Sequence, residues 1–335
     1  MRKILIFIFG LTLIFIPLFG QNLQRIHIQA NKSKTFNLSE IAEQVEYISL
    51  ESTSDIEFDD IRDVLWTENF LFVQVSSIEL DQRTLLRTLQ YDHSGKFIRE
   101  FGNEEEKMRK LLYDRERDRL FVNYPKGITK ELNFEKNVKK IYEFKSNPQL
   151  YNNGYFYSQY CEIKENGMYY FLIRINEQRD EIDTLYHFKD NEKDFGFTSR
   201  PACISLYGQT PLVSFGIDNC LYQIRDKIIT PIVKFTIDPE PSTGLDNFGY
   251  QFQGFIANYL CIHYVRAMQP YLYLKSMRSG KILQTKYCYS EDMMLIEGIR
   301  DDMLNTGFCI ITPFNRSDYF YFVKKEMNYR ENLKY

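Results

Sequence analysis

One stretch constrains this chain more than any other. Residues 70–102 read FLFVQVSSIELDQRTLLRTLQYDHSGKFIREFG. Phe70–Val75 is aromatic and β-branched, Leu85–Tyr91 is a second apolar run, and the segment between them is polar. Asp92-His93-Ser94-Gly95 is turn chemistry, because Gly95 adopts positive φ without a steric cost. Lys96–Phe101 then alternates polar and apolar residues, as a strand with one buried face does. The unit is strand, gap, strand, tight turn, strand.

The unit recurs. A second copy contains Arg119–Val122, Gly127–Phe134 and Val138–Phe144, with Asn137 in place of the turn glycine. A third contains Gly167–Ile175 and Thr184–Phe188, and a fourth Asn219–Ile224 and Pro231–Ile237. The fifth holds Asn258–Val265, Tyr271–Ser276 and Ile282–Tyr287, and the last Gly307–Thr312 and Tyr319–Lys324. Ser279-Gly280-Lys281-Ile282 of the fifth unit repeats the turn Ser94-Gly95-Lys96-Phe97 of the first. A spacing of about 40–50 residues is that of propeller blades. Helical periodicity is confined to 104–110, 291–300 and a short helix over Ser39–Gln44, the last introduced by the capping box Asn37…Glu40. The expected fold is all-β, a six-bladed β-propeller of four-stranded antiparallel blades forming one domain over 21–335. An extended array of β-sandwiches is the rival. An N-terminal strand, Val45–Leu50 or Arg25–Gln29, is expected to close the ring against Tyr319–Lys324.

Four stretches carry a resemblance. They are Leu38-Ser39-Glu40-Ile41 with Val45–Glu51, the hairpin Tyr91–Gly102, the turn and strand Asp114–Val122, and Asp218-Asn219-Cys220-Leu221-Tyr222-Gln223-Ile224 followed by Pro231. Together the chain from about Leu38 onward resembles the six-bladed β-propeller family of exported proteins of Bacteroides and related bacteria, whose blades are NHL-like. The resemblance implies that fold and an exported location, and no catalytic residues. Where the family carries a Gly- and Arg-rich loop after the first hairpin, this chain has Asn103-Glu104-Glu105-Glu106-Lys107.

The N-terminus agrees on compartment. Met1-Arg2-Lys3 is a basic start, Ile4–Phe19 is almost wholly apolar, and Gly20 precedes polar sequence. That is the layout of a signal peptide over 1–20. No cysteine follows the apolar run until Cys161, so lipidation at an N-terminal cysteine is not expected. No later run has the roughly 20 apolar residues a membrane helix needs. The six cysteines have no metal-type spacing; their even number permits three bridges in an exported protein without showing any, and the preferred reading is buried, unpaired thiols. A formal net charge of −3 without basic blocks gives no sign of a nucleic-acid partner.

The chemistry is sparse. His27, His93, His187 and His263 are scattered, with His93 expected in solvent and His263 inside a strand. The acidic groups Glu57–Asp60, Glu104–Glu106 and Asp301-Asp302 lack the spacing of a calcium loop and read as loop surface. No catalytic residue, metal or cofactor is assigned. The remaining candidates are aromatic clusters: Phe248–Phe252, and Tyr151–Tyr160 (YNNGYFYSQY), which is expected to place Tyr151, Tyr155, Tyr157 and Tyr160 against a ligand. A tyrosine offers a flat apolar face and a polar edge, suited to glycan or peptide. The expected function is a non-enzymatic binding or scaffolding module at the mouth of a central channel, its partner a glycan or another cell-envelope protein. The alternative is a metal-dependent hydrolase or lyase using the same channel.

Overall fold

A computed structural model describes residues 3–9, 23–29, 32–42, 44–51, 60–78, 84–102, 108–178, 182–190, 203–215, 219–238, 249–266, 269–289, 295–303, 307–309, 311–313 and 319–325. The described chain is all-β apart from 3₁₀ turns. It is of the β-propeller class, with five four-stranded antiparallel blades where the sequence predicted six.

By its internal contacts the chain divides into two compact units. The first is Met1–Ile8, Val45–Tyr151 and Tyr321–Tyr335, and the second Phe9–Gln44 and Asn152–Phe320. Two blades lie in the first unit. Blade 1 is Asp60–Trp66, Leu71–Ile78, Thr84–Tyr91 and Phe97–Gly102. Blade 2 is Lys110–Asp114, Arg119–Asn123, Ile128–Leu132 and Val138–Glu143. The chain passes into the second unit within Leu150–Asn152, the first strand of blade 3, which continues with Tyr155–Lys164, Gly167–Asn176 and Ile182–Asp190. Blade 4 is Cys203–Tyr207, Thr210–Phe215, Cys220–Arg225 and Ile228–Asp238. Blade 5 is Gly249–Ile256, Tyr259–Arg266, Gln269–Ser276 and Ile282–Lys286.

The predicted sixth unit does not form a meander. Gly307–Cys309 pairs with Ile299–Asp301, which takes Phe36–Asn37 in parallel on its other side. Tyr319–Lys325 lies in a different sheet, ordered Ile311–Pro313, Tyr319–Lys325, Lys3–Phe9, Gln44–Leu50. Three-residue strands supply too few ladder bonds to hold a separate blade. Of the segment 291–300, read as helical, residues 291–294 lie outside the described residues and the rest falls in two such strands, Leu295–Glu297 and Ile299–Asp301. The other helical candidate, 104–110, lies largely outside the described residues, and its end, Lys110, begins blade 2. The expected helix over Ser39–Gln44 is a single 3₁₀ turn, Leu38–Glu40, in which the Asn37 N–H donates to Glu40 Oε1 at 3.0 Å.

The expected closing strand Arg25–Gln29 does something else. Gln24–Gln29 adds in parallel to the outer strand of blade 4, with Gln24 opposite Val233 and Gln29 opposite Asp238. It buries Ile26 and Ile28 in a core shared by blades 4 and 5 with Leu221, Phe235, Phe255, Ile262 and Tyr273. The chain then runs on as a strap. Gln284 Nε2 of blade 5 donates to the Gln29 carbonyl and to Ser33 Oγ, and Lys281 pairs with Glu40 at 2.9 Å. Phe36 and Leu38 are buried, and the Ser39 N–H and hydroxyl both donate to Asp302. Val45–Leu50, the other closing candidate, shares a sheet with Tyr319–Lys325, separated from it by Lys3–Phe9.

One turn recurs atom for atom. In blade 1 the Asp92 carboxylate accepts from the N–H groups of Ser94 and Lys96, and the Asp92 N–H reaches the Lys96 carbonyl at 3.0 Å. In blade 2 Asn133 plays the part of Asp92, its side-chain oxygen accepting from the N–H groups of Glu135 and Asn137. Side-chain acceptors of this kind replace the backbone partners that a turn lacks. Gly95 has φ 86°. The matching position in blade 2 is Lys136 at φ 73°, not Asn137 as the sequence suggested. The alignment needs five residues from acceptor to ladder, so the left-handed residue falls one place earlier.

Gly95 and Gly280 separate two costs. A Cβ on Gly95 would lie 2.2 Å from the Ser49 carbonyl oxygen, whereas one on Gly280 (φ 72°) meets nothing within 4 Å. Gly280→Ala is expected to cost about 1 kcal/mol, the left-handed penalty alone. Gly95→Ala is expected to cost clearly more, because backbone as well as φ must give. Urea unfolding of the two variants, compared with the parent, measures the difference.

Candidate functional site

The four predicted tyrosines do not form one cluster. Tyr151 is 2 % exposed and is sealed under Arg119, whose guanidinium lies 5.1 Å from its ring centre and donates to its hydroxyl. Phe121 packs beside it at 4.5 Å. The same guanidinium binds Asp114 at 3.1 Å and Glu131 at 3.7 Å, so Tyr151 belongs to a buried charge network.

Tyr155 and Tyr157 point to the same side of their strand, as residues two apart do. Tyr157 stands opposite Arg174. Arg174, 6 % exposed, lies 4.2 Å over the Tyr155 ring. It donates to Asp183 Oδ2 at 3.0 Å and to the Asp226 carbonyl in the blade 4 hairpin turn at 2.5 Å. Lys227 from that turn donates to the other oxygen of Asp183 at 2.6 Å. Burial pushes the Tyr157 hydroxyl above the usual tyrosine range, partly offset by Arg174. These two tyrosines are built into a clasp that fixes blade 3 to blade 4. Sequence periodicity marks both as strand residues but cannot disclose the arginine, which is 17 positions further on.

Tyr160 is different. It lies on the opposite side of the same strand, half-buried and directly across from Phe171. Phe171 stands across from His187 on the next strand. The three rings stack, Tyr160 on Phe171 at 4.8 Å and 13°, Phe171 on His187 at 6.1 Å and 19°. Phe171 is half-buried and His187 exposed. Tyr169 extends the same row of the sheet, with Lys164 4.9 Å from its ring centre. The inner halves of these strands carry Phe156, Ile173 and Ile175, all buried. The strands are ten, ten and nine residues long, and the aromatic row crosses them near their middle, where full burial gives way to half-burial.

The remaining candidates fall out as follows. His93 is not a free surface histidine, since its ring stacks on Trp66 at 4.1 Å. His263 is held neutral by burial, its pKa pushed down to about 4. His27 sits on the strap, 2.8 Å from Thr236 Oγ1. Glu57–Asp59, Glu104–Glu106 and the side chains of 248–252 lie outside the described residues, and Asp301 is buried. Among the described residues no group of three or more His, Cys, Asp and Glu side chains could hold a metal ion. No disulfide joins the five described cysteines to one another; Cys220 and Cys261 are buried, whereas Cys161 is exposed. No described helix is long and apolar enough to cross a membrane.

Among solved structures, the chain is similar to a protein of Bacteroides fragilis described as exported. The TM-score is 0.56 at 12% identity, covering 91% of this chain and 100% of that one. It also aligns with a member of the DUF4221 family from Bacteroides vulgatus, with TM-score 0.47 and 8% identity over 82% of this chain and 95% of that one. At such identities the first likeness speaks for the fold alone. No family model matches the sequence, and neither does any curated protein.

The clasp carries a pH dependence whose sign is fixed. Hydrogen bonds from Lys227 and Arg174 hold the Asp183 carboxyl below the usual carboxylate range. A lowered folded-state pKa gives stability that is full above the unfolded value and is lost as pH falls through the folded one. Asp183→Asn is therefore expected to unfold at lower urea than the parent at pH 7, with the gap closing as pH falls below the ordinary aspartate range. Arg174→Ala, which leaves Asp183 to Lys227 and takes away the donor of the Asp226 carbonyl, is expected to cost about 2 kcal/mol at pH 7.

Proposed function

We propose that this chain is an exported, non-enzymatic binding module that holds a glycan on the aromatic row Tyr160–Phe171–His187 of blade 3. The row itself carries the reading. Three rings stacked side by side on a sheet, two half-buried and His187 exposed, form an apolar row with a hydroxyl at one end and an imidazole at the other. Sugar rings have the matching pattern, apolar C–H faces rimmed by hydroxyls, and partners with both characters suit them. The row is set on long strands whose inner halves are packed, so its geometry is fixed before a ligand arrives and little ordering entropy is lost on binding. The signal-like start of the sequence, and the fold shared with a protein described as exported, support export.

Affinity electrophoresis in gels containing starch, xylan, mannan or pectin tests the reading. The parent chain is expected to be retarded by at least one of them. Phe171→Ala, which removes the central ring, is expected to weaken that retardation about tenfold, the worth of one aromatic contact. Tyr160→Ala should act in the same direction. Unchanged migration of the parent in all four gels, or a Phe171→Ala chain retarded like the parent, rejects the proposal. Thermal melts of both variants establish that the blade is intact.

A further inference from the structure

We infer that the outer edge of blade 2 is a docking site for an extended acidic segment of a partner protein, which adds to the sheet as a strand. The site is on a different unit from the aromatic row and does not depend on it.

Val138–Glu143 ends its sheet, with no strand beyond it among the described residues. Five of its six positions are exposed, and only Tyr142 is buried. Val138 is 50% and Ile141 56% exposed, so two β-branched aliphatics face water within four residues. An edge of this kind presents a row of backbone donors and acceptors, and proteins ordinarily cover or shorten it. Several other edges here are covered, although the outer strand of blade 3, Ile182–Asp190, also ends its sheet. Gln24–Gln29 lies along the outer strand of blade 4, and Phe36–Asn37 along Ile299–Asp301, both in parallel. In blade 1 the Glu51 N–H donates to the Gly95 carbonyl, and Glu51 Oε2 accepts from Phe97. Blade 2 has no such cover among the described residues. Its register is irregular between Glu131 and Leu132 but continuous from Lys140 to Glu143, which leaves a regular ladder for an added strand.

Charge selects the occupant. Between 136 and 145 the sequence KNVKKIYEFK holds four lysines and one glutamate. A second copy pairing edge to edge would bring Lys139 and Lys140 against their own equivalents, which cross-strand repulsion opposes. An extended segment alternating carboxylates with aliphatics meets both features. Its backbone continues the ladder, its acids face the lysines, and its aliphatics cover Val138 and Ile141.

The test uses a fluorescein-labelled ten-residue peptide of alternating glutamate and valine, titrated with the purified full chain and read by fluorescence anisotropy. Saturable binding is expected, weakening about tenfold or more between about 50 and 500 mM salt as the exposed charges are screened. The double variant Lys139→Glu/Lys140→Glu should lose binding by at least a similar factor while melting like the parent. The same peptide methylated on alternate backbone nitrogens, unchanged in charge but unable to complete a ladder, should not bind. Three results overturn the inference. One is no binding of the unmodified peptide. Another is equal binding of the methylated one, which reduces the interaction to charge alone. The third is self-association of the parent chain in sedimentation that the double variant abolishes, which makes a second copy the occupant.

Discussion

Every other feature of this protein depends on sheets that are apolar on both faces. In the second strand of blade 1, Leu71, Phe72, Val73 and Val75 are all fully buried, although neighbouring residues point to opposite sides. The second strand of blade 2 repeats this with Leu120, Phe121 and Val122. A lone antiparallel sheet would leave one of these faces in water. Each blade must therefore be covered on both sides. Within the first unit, Phe72 and Phe101 of blade 1 meet Leu111, Leu120 and Leu132 of blade 2 in one core. A Cβ on Gly102 would lie 1.7 Å from Met108 Sδ, so a side chain at this position would require Met108 to move.

Once the faces are covered, the edges and the charges caught between blades decide the rest. The N-terminal strap covers edges in the second unit, with two short parallel ladders and the ion pair between Glu40 and Lys281. Guanidinium groups serve the positions where blades meet. Arg99 of blade 1 donates to the Phe134 carbonyl in the blade 2 turn, and Arg174 of blade 3 to the Asp226 carbonyl in the blade 4 turn. A planar, permanently charged fork can satisfy a carboxylate, a carbonyl and an aromatic face together, which a lysine cannot. The aromatic row of blade 3 and the lysine-rich edge of blade 2 are left over after both devices among the described residues, and these are the surfaces proposed for recognition.

Much of this was legible as pattern. Alternation and turn chemistry mark the hairpins of all five blades, and Gly95 and Gly280 both take positive φ, although their turns close from Asp92 to Lys96 and from Ser276 to Lys281. The count of blades was misread because Gly307–Cys309 and Ile311–Pro313 have strand composition yet are too short to form a sheet alone. The aromatic segment Tyr151–Tyr160 was found, but its residues were assigned to one surface. Alternation sends Tyr155 and Tyr157 to one side and Tyr160 to the other, and Tyr151 is sealed under an arginine 32 residues earlier in the chain.

Local sequence determined what local physics controls: strands from β-branched and aromatic runs, turns from Asp, Asn and Gly, and the all-β class. Tertiary structure alone decided the number of blades, the path of Gln24–Gln29 along blade 4, and which tyrosines reach water. Those outcomes depend on contacts between residues tens to hundreds of positions apart, such as His27 with Thr236 and Glu40 with Lys281. The short-range alternation of a sequence carries a residue's side of the strand, but not the identity of what will be packed against it.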